Sequence, residues 1–161
     1  MARRLKLDIA PEYPYRLLGI SCTLQDFRLA YFLSGSSGLD FCQEEEIAMH
    51  MPHFSGQLPL FAARDPRNKV DFFLLANKLD GLAVLVSERR FDYWLISGGD
   101  GDPDLVGMGR DLMRYPGVQF CHELDVTKLK DAEAFFTDLE VGTIPLLRRW
   151  KGRVSEEDAR W

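Results

Sequence analysis

The chain has 161 residues, 46% of them hydrophobic, and a net charge of −5, enough apolar material for one core of ordinary domain size. No apolar run approaches the roughly 18 residues that a membrane-spanning helix needs, and an acidic body disfavours wrapping nucleic acid, whose phosphates are held by basic surfaces. The charge is uneven: Leu7 to Leu147 holds 12 Lys or Arg against 22 Asp or Glu, whereas the first six residues carry +3 and the last fourteen +2. Only these basic ends suit a phosphate.

The opening Met1-Ala2-Arg3-Arg4-Leu5-Lys6 contains no apolar secretion segment. Cys22, Cys42 and Cys121 are odd in number and widely spaced, which fits neither a disulfide framework nor a metal knuckle. A cytoplasmic protein with reduced thiols, no cofactor and no membrane contact is expected.

Tyr15 to Cys22 reads as a central strand, with Leu18, Ile20 and Cys22 facing one way. Thr23 is placed as the N-cap of a helix carrying Leu24, Phe27, Ala30 and Tyr31 at helical spacing, ended by Gly35 and Gly38. Glu44-Glu45-Glu46 leads into a short run from Ile47 to Met51 that breaks at Pro52. Gln57 to Phe61 looks extended, and Pro59, which lacks an N–H, makes it an edge or a bulged strand. Asp65-Pro66-Arg67-Asn68 is a turn, and Val70 to Ala76 is a strand completing an antiparallel hairpin. Asp80-Gly81 is another turn, with Leu82 to Val86 a further short strand or a packed loop.

Phe91 to Ile96 is apolar on both faces and belongs inside a sheet. A glycine- and aspartate-rich loop follows, with Asp102 as N-cap and Pro103 as first helical residue of a helix through Leu105, Met108, Leu112 and Tyr115. Pro116-Gly117 stops it. Val118, Phe120, His122 and Leu124 then form the mainly apolar side of a returning strand, and Thr127 caps a last helix from Lys128 to Leu139. Strand, loop, helix and strand from Phe91 to Val126 make one half of a split βαβ unit, and Tyr15 to Leu33 supplies a strand and helix for the other. The predicted fold is therefore one α+β domain over residues 1–147, a two-layer, largely antiparallel sheet with helices on one face, ferredoxin-like or regulatory-domain-like in outline. Residues 148–161, with Arg148, Arg149, Lys151 and Arg153, form a charged, solvated tail.

The chemistry-bearing residues do not converge on one pattern. Asp100, Asp102, Asp104 and Asp111 mimic a calcium loop, but its sixth and twelfth positions are Leu105 and Asp111 instead of Gly and Glu. Gly98, Gly99 and Gly101 offer N–H groups before a helix, yet the adjacent aspartates repel phosphate, against a nucleotide loop. His50 and His53 read as a surface pair and His122 as a core histidine, with no ligand spacing for a metal, and Cys121 as an inert strand cysteine. Asp92 is the sharpest candidate, a carboxylate among aromatics that must be paired by Arg89, Arg90, Arg28 or a backbone N–H if buried. Trp94, on the same face, is core or the floor of a small pocket. Asp92, Tyr93, Trp94, Arg28, Gly98, Gly99 and Asp100 are thus the binding candidates.

Leu18-Gly19-Ile20-Ser21-Cys22, Leu24 to Leu33, Phe91-Asp92-Tyr93-Trp94-Leu95-Ile96, Tyr115-Pro116-Gly117-Val118 and Leu124-Asp125-Val126 to Leu129-Lys130 together resemble the bacterial family named for its Ile-Pro-Glu-xxx-Val-Asp-Tyr (IPExxxVDY) signature. The likeness covers Leu7 to about Leu139. In register the signature Ile, Pro and Glu fall on Leu85, Val86 and Ser87, and its Val on Phe91, leaving Asp92 and Tyr93 as strict matches. The resemblance implies a cytoplasmic, single-domain protein of Bacteroidota-type bacteria, and it implies no chemistry.

With no coherent nucleophile, base and orienting group, the leading expectation is a non-catalytic binding or adaptor module with a protein partner, including a homodimer through sheet edges such as the one Pro59 marks. Alternatives are a small-molecule-sensing regulatory domain holding ligand at the Gly98 to Asp104 loop, and a hydrolase or transferase using Asp92 with a histidine.

Overall fold

The computed structural model describes residues 13–158. Arg3, Arg4 and Lys6, Arg160, and the side chains from 153 onward lie outside the described residues. In chain order the main elements are β1 (Arg16–Cys22), α1 (Asp26–Ser37), β2 (Cys42–Met51), β3 (Phe54–Asp65) and β4 (Val70–Ala76). Two short strands, β5 (Lys78–Leu79) and β6 (Leu82–Ala83), precede β7 (Tyr93–Gly99), α2 (Leu105–Leu112), β8 (Val118–Leu124) and α3 (Ala132–Asp158).

Six strands form one antiparallel sheet in the order β2-β3-β4-β7-β1-β8. Since β1 pairs antiparallel with both β7 and β8, those two run parallel with β1 between them and α2 as their crossover. This is the split βαβ unit expected from Phe91 to Val126. In the same way β1 and β4 run parallel on either side of β7, so β4-β7-β1-β8 is the interleaved order of a ferredoxin-like sheet. The β2–β3 hairpin, inserted after α1, extends it. β7 lies inside, as its doubly apolar sequence required.

The α+β, antiparallel, single-domain architecture is as expected, but the helices do not share a face. Because side chains alternate along each strand, Trp94 and Ile96 enter one core and Leu95 the other. Leu29, Ala30 and Leu33 of α1 join Leu105 and Leu112 of α2 on Leu95's side, whereas Phe135, Phe136, Leu139 and Leu146 of α3 cover the opposite side. The domain therefore has three layers instead of two. A central sheet apolar on both faces requires cover on both, and α3 supplies much of the second.

Several local expectations shift. Of the two readings of Pro59 the bulged one holds: β2 and not β3 is the edge strand, and Pro59 lies just before the ladder to β4 begins at Leu60↔Leu75, where the register with β2 slips from Leu60↔Glu44 to Leu58↔Ile47. The bulge sets Pro59 against Glu45-Glu46, so the missing N–H falls where the ladder is already interrupted. The glutamate triplet belongs to β2 itself. Helix α1 starts after Gln25 with no side-chain cap, Asp26 accepting from its neighbour Phe27 N–H at 2.7 Å, and Thr23 instead reaches the Gly117 carbonyl through its N–H at 2.9 Å. Phe27 and Tyr31 point to solvent. Gly38, at φ 75°, closes α1 in the left-handed conformation that glycine tolerates.

The cap of α2 is Asp104, two residues later than Asp102, and accepts from Gly107 N–H at 2.9 Å. In β8 an extra residue, Gln119, separates Phe120↔Ser21 from Val118↔Cys22, so Val118 joins the α1–α2 core and does not share a side with Leu124. His122 is exposed rather than a core histidine. Asp125, not Thr127, caps a single 3-10 turn at Val126–Lys128. The last helix begins only at Ala132, and it runs on through the residues expected as a tail. Gly142 does not end it: a Cβ there would stand 3.0 Å from Ile47 Cβ, so the glycine lets α3 lie close against β2. Trp150 then packs over Phe73, ring centroids 6.5 Å apart, with the Arg64 guanidinium 5.6 Å from its ring.

Candidate functional site

β7 carries most of the candidate residues but separates them. Asp92 at one end and Gly98 of the Gly98-Gly99-Asp100 end are six residue steps apart, roughly 20 Å at 3.3 Å per step. At the first end the Asp92 side chain is only partly exposed, at 29%. Its Oδ1 accepts from Lys78 Nζ at 2.8 Å and its Oδ2 from the Cys22 N–H at 2.9 Å. The expected backbone N–H partner is there, while the cation is Lys78 in place of an arginine. Arg90 stacks over the Phe91 ring at 4.7 Å, and Arg28 is exposed on α1. With both oxygens committed, Asp92 ties β1 to β7 where their ladder ends. Tyr93 donates its hydroxyl to the Leu24 carbonyl at 2.7 Å. Burial first, and then Cys22, Asp26 and Asp92, push its phenol well above the usual tyrosine range, so it serves as a hydrogen-bond donor, not a base. Trp94 is fully buried against Phe91 and floors no cleft.

At the other end Gly99, at φ 93°, lets its backbone pass the Lys69 carbonyl, where a Cβ would stand only 2.5 Å away. Asp102 pairs with Arg16, which also holds Glu123 in a bidentate clasp, both bonds 2.8 Å. Two aspartates of the superficial calcium loop, Asp104 and Asp102, are thus spent on a cap and an ion pair. A cleft of about 540 Å³ opens beside them between the end of α1 and the start of α2, walled by Asp65, Asp102, Asp104 and Asp111. Among the described residues no group of three or more His, Cys, Asp or Glu is placed to hold a metal ion, and no helix is long and apolar enough to cross a membrane.

Three residues that organise this region escaped the sequence reading. Asn77, fully buried, donates to the Glu88 and Phe91 carbonyls and accepts from Leu85 N–H, each at 2.9 Å. It thereby pins segment 84–91, which lays Phe91 across Gly19; a Cβ on Gly19 would meet that ring at 2.5 Å. Lys78 and Arg16 are the other two. An asparagine following an apolar strand was the available signal for Asn77. The two cations gave none, because their partners lie 14 and 107 residues away.

The two edges of the sheet differ in how they are finished. β2 carries three adjacent glutamates and a bulge, and α3 packs along it: Asp138 Oδ2 accepts from His50 N–H at 2.7 Å, and Arg149 binds Glu44 at 2.9 Å. These are recognised devices for blunting an edge. On the opposite side, β1 turns Ile20 and Cys22 toward β7, as their bonds to Asp92 N–H and carboxylate show. Backbone groups alternate in direction along a strand, so Leu17, Gly19 and Ser21 face β8, opposite Leu124, His122 and Phe120. Cys121 and Glu123 therefore present N–H and C=O outward. The one formally charged side chain of β8 at neutral pH, Glu123, is turned back to Arg16. Phe120 remains 37% exposed beside the Phe91 ring, 5.4 Å away.

Burial is the main cause that raises the Cys121 thiol to about 12 and the Cys22 thiol to about 11, which removes both as nucleophiles near neutral pH. No protein-family model, curated protein or solved structure matches this chain.

Proposed function

We propose that this chain is a divergent member of the IPExxxVDY family and acts in the cytoplasm as a non-catalytic binding module. Its contact is strand addition at the β8 edge. The observation that carries this reading is the state of that edge: outward backbone groups at Cys121 and Glu123 and an exposed Phe120, with the β8 bulge confined to Gln119 near its start, Glu123 turned back to Arg16, and no side-chain cap on the outer backbone among the described residues like the one Asp138 gives β2. An extended partner segment would satisfy those backbone groups and shelter the ring. The commitment of Asp92 to Lys78 and Cys22 supports a module without a reacting carboxylate.

Amide exchange of the chain at low concentration, with and without lysate of its native cell, tests the reading. Protection gained across Val118–Leu124, with β2 unchanged, is the expected result. Protection confined to other elements, or none, overturns it.

The cleft between α1 and α2 favours a second reading, a sensor of a small cationic molecule, since four aspartates wall it. Such a ligand should raise the melting temperature. A thermal-shift screen of amines and amino acids without a hit removes that reading.

A further inference from the structure

We infer that the strand added to β8 is β8 of a second copy of this chain, so that the two sheets run on into one across a two-fold axis at Cys121. This rests on the edge-binding reading above and names its partner. Cys121 turns its N–H and C=O outward, so a two-fold axis beside it forms a closed pair of backbone hydrogen bonds between the copies.

The sequence of β8 is self-complementary about that axis. Gln119 falls opposite Glu123 of the other copy, an amide against a carboxylate, and Phe120 falls opposite His122, ring against ring. No two like charges meet, which a cross-strand pairing requires. A register centred two residues later would bring the two Glu123 carboxylates face to face.

The flanks of the edge agree. Along α2, at about 100° per residue, Leu105, Gly109 and Leu112 face the sheet, and Met108 and Asp111 face the cleft shared with α1. Val106 and Met113 lie on the remaining flank, over β8, because Gly109 is the residue of α2 set against Cys121. They are 52% and 42% exposed. Phe120 occupies the other side of the sheet at the same edge. Any occupant must therefore bring a strand with apolar side chains above and below it, and a second β8 with its own α2 brings that set.

Sedimentation equilibrium or light scattering on the full chain over a wide concentration range tests the inference. The expected result is a rise from 18.5 kDa to twice that mass, with Phe120→Lys and Met113→Glu each weakening association at least ~10-fold, a change of about 1.4 kcal/mol, and Glu45→Lys on β2 leaving it unaltered. Circular dichroism melting confirms that each variant is folded, and the two substitutions on different elements guard against one failing to fold. A strict monomer at high concentration overturns the inference, as does a dimer that both folded variants leave intact. If the chain is monomeric yet lysate still protects Val118–Leu124, the homodimer falls and edge binding to a foreign strand stands. If neither appears, both fall.

Discussion

The α3 side of the sheet is covered differently at its two ends. Toward β2 the cover is a helix: Phe135, Phe136, Leu139 and Leu146 are buried against Ile47, Met49 and their neighbours, and Trp150 extends the contact to Phe73. Toward β1 and β8 the cover is segment 84–91, which closes only a single 3-10 turn on itself, Glu88 N–H to Leu85 and Phe91 N–H to Glu88, and leans for its Leu85 N–H and Phe91 carbonyl on one buried side chain, Asn77. A helix closes its own hydrogen bonds and can spare side chains such as Asp138 to blunt the nearby edge. A loop needs side chains brought to it, and the β8 edge beside it is left unfinished. One end of the sheet is therefore capped by side chains of its covering helix and the other is not, and under the strand-addition proposal a partner enters at the second.

The sharpest way to break this arrangement is Asn77→Ala. It removes three hydrogen bonds, two of them buried, at about 1 kcal/mol each and strands the Leu85 N–H and the Phe91 carbonyl, while the Glu88 carbonyl keeps the Phe91 N–H, so a loss of roughly 3 kcal/mol is expected by urea unfolding. Amide exchange should rise first across 84–91 and the adjoining part of β1. If the loss is equally large but exchange rises uniformly, the segment is not a separate cover. Trp150→Ala acts at the other end. Half-burial of the indole sets the expected loss near 2 kcal/mol, below that of a fully buried ring. Residues 148–152 would then be confirmed as part of the core cover; a neutral outcome would return them to the status of a tail.

A smaller and more local effect is expected of Asp138→Ala, which uncaps the His50 N–H. The cost is about 1 kcal/mol, and the useful readout is exchange at His50 and its neighbours in β2, with β8 unchanged. The substitution also converts a blunted edge into an open one, so a tendency of the variant to self-associate through β2 would show directly that Asp138 protects the edge.

How much of this was legible in the sequence depends on the range of the interaction involved. β1, β4 and β8 could be read to within a residue, and β7 and α2 to within three, because alternation, helical spacing and turn residues are local signals. The split βαβ unit followed from their order. Pro59 left an edge and a bulge open because one missing N–H fits either, and the bulge that decides between them is created by Glu45-Glu46 on a different strand. Gly142 and Pro145 resemble helix breakers, yet the glycine serves a close approach to Ile47 that only the packed structure reveals. At the candidate site, Asp92 was legible as a carboxylate in need of a partner. Its true partner Lys78, and the finishing of β2 by Asp138, were not, since 14 and 88 residues separate those pairs.

The cysteines sharpen the comparison with the gentlest effect, because each edge carries one: Cys42 opens β2 and is exposed, while Cys121 sits in β8 against α2. Only the thiolate reacts. Burial raises Cys121 to about 12 and Cys22 to about 11, so at pH 8 the reactive fraction of either is smaller by orders of magnitude than that of a thiol of ordinary pKa. A thiol reagent at pH 8 should therefore reach the exposed Cys42 before either raised thiol, the sites being identified by peptide mass. The other two should follow only at strongly alkaline pH or as the protein unfolds. Prompt labelling of Cys121 in the folded chain would mean that α2 lifts readily from β8, and an apolar flank that mobile would make a poor seam for a second strand. Slow labelling of Cys121 that becomes slower still as protein concentration rises is the result expected if the edge is occupied by another copy.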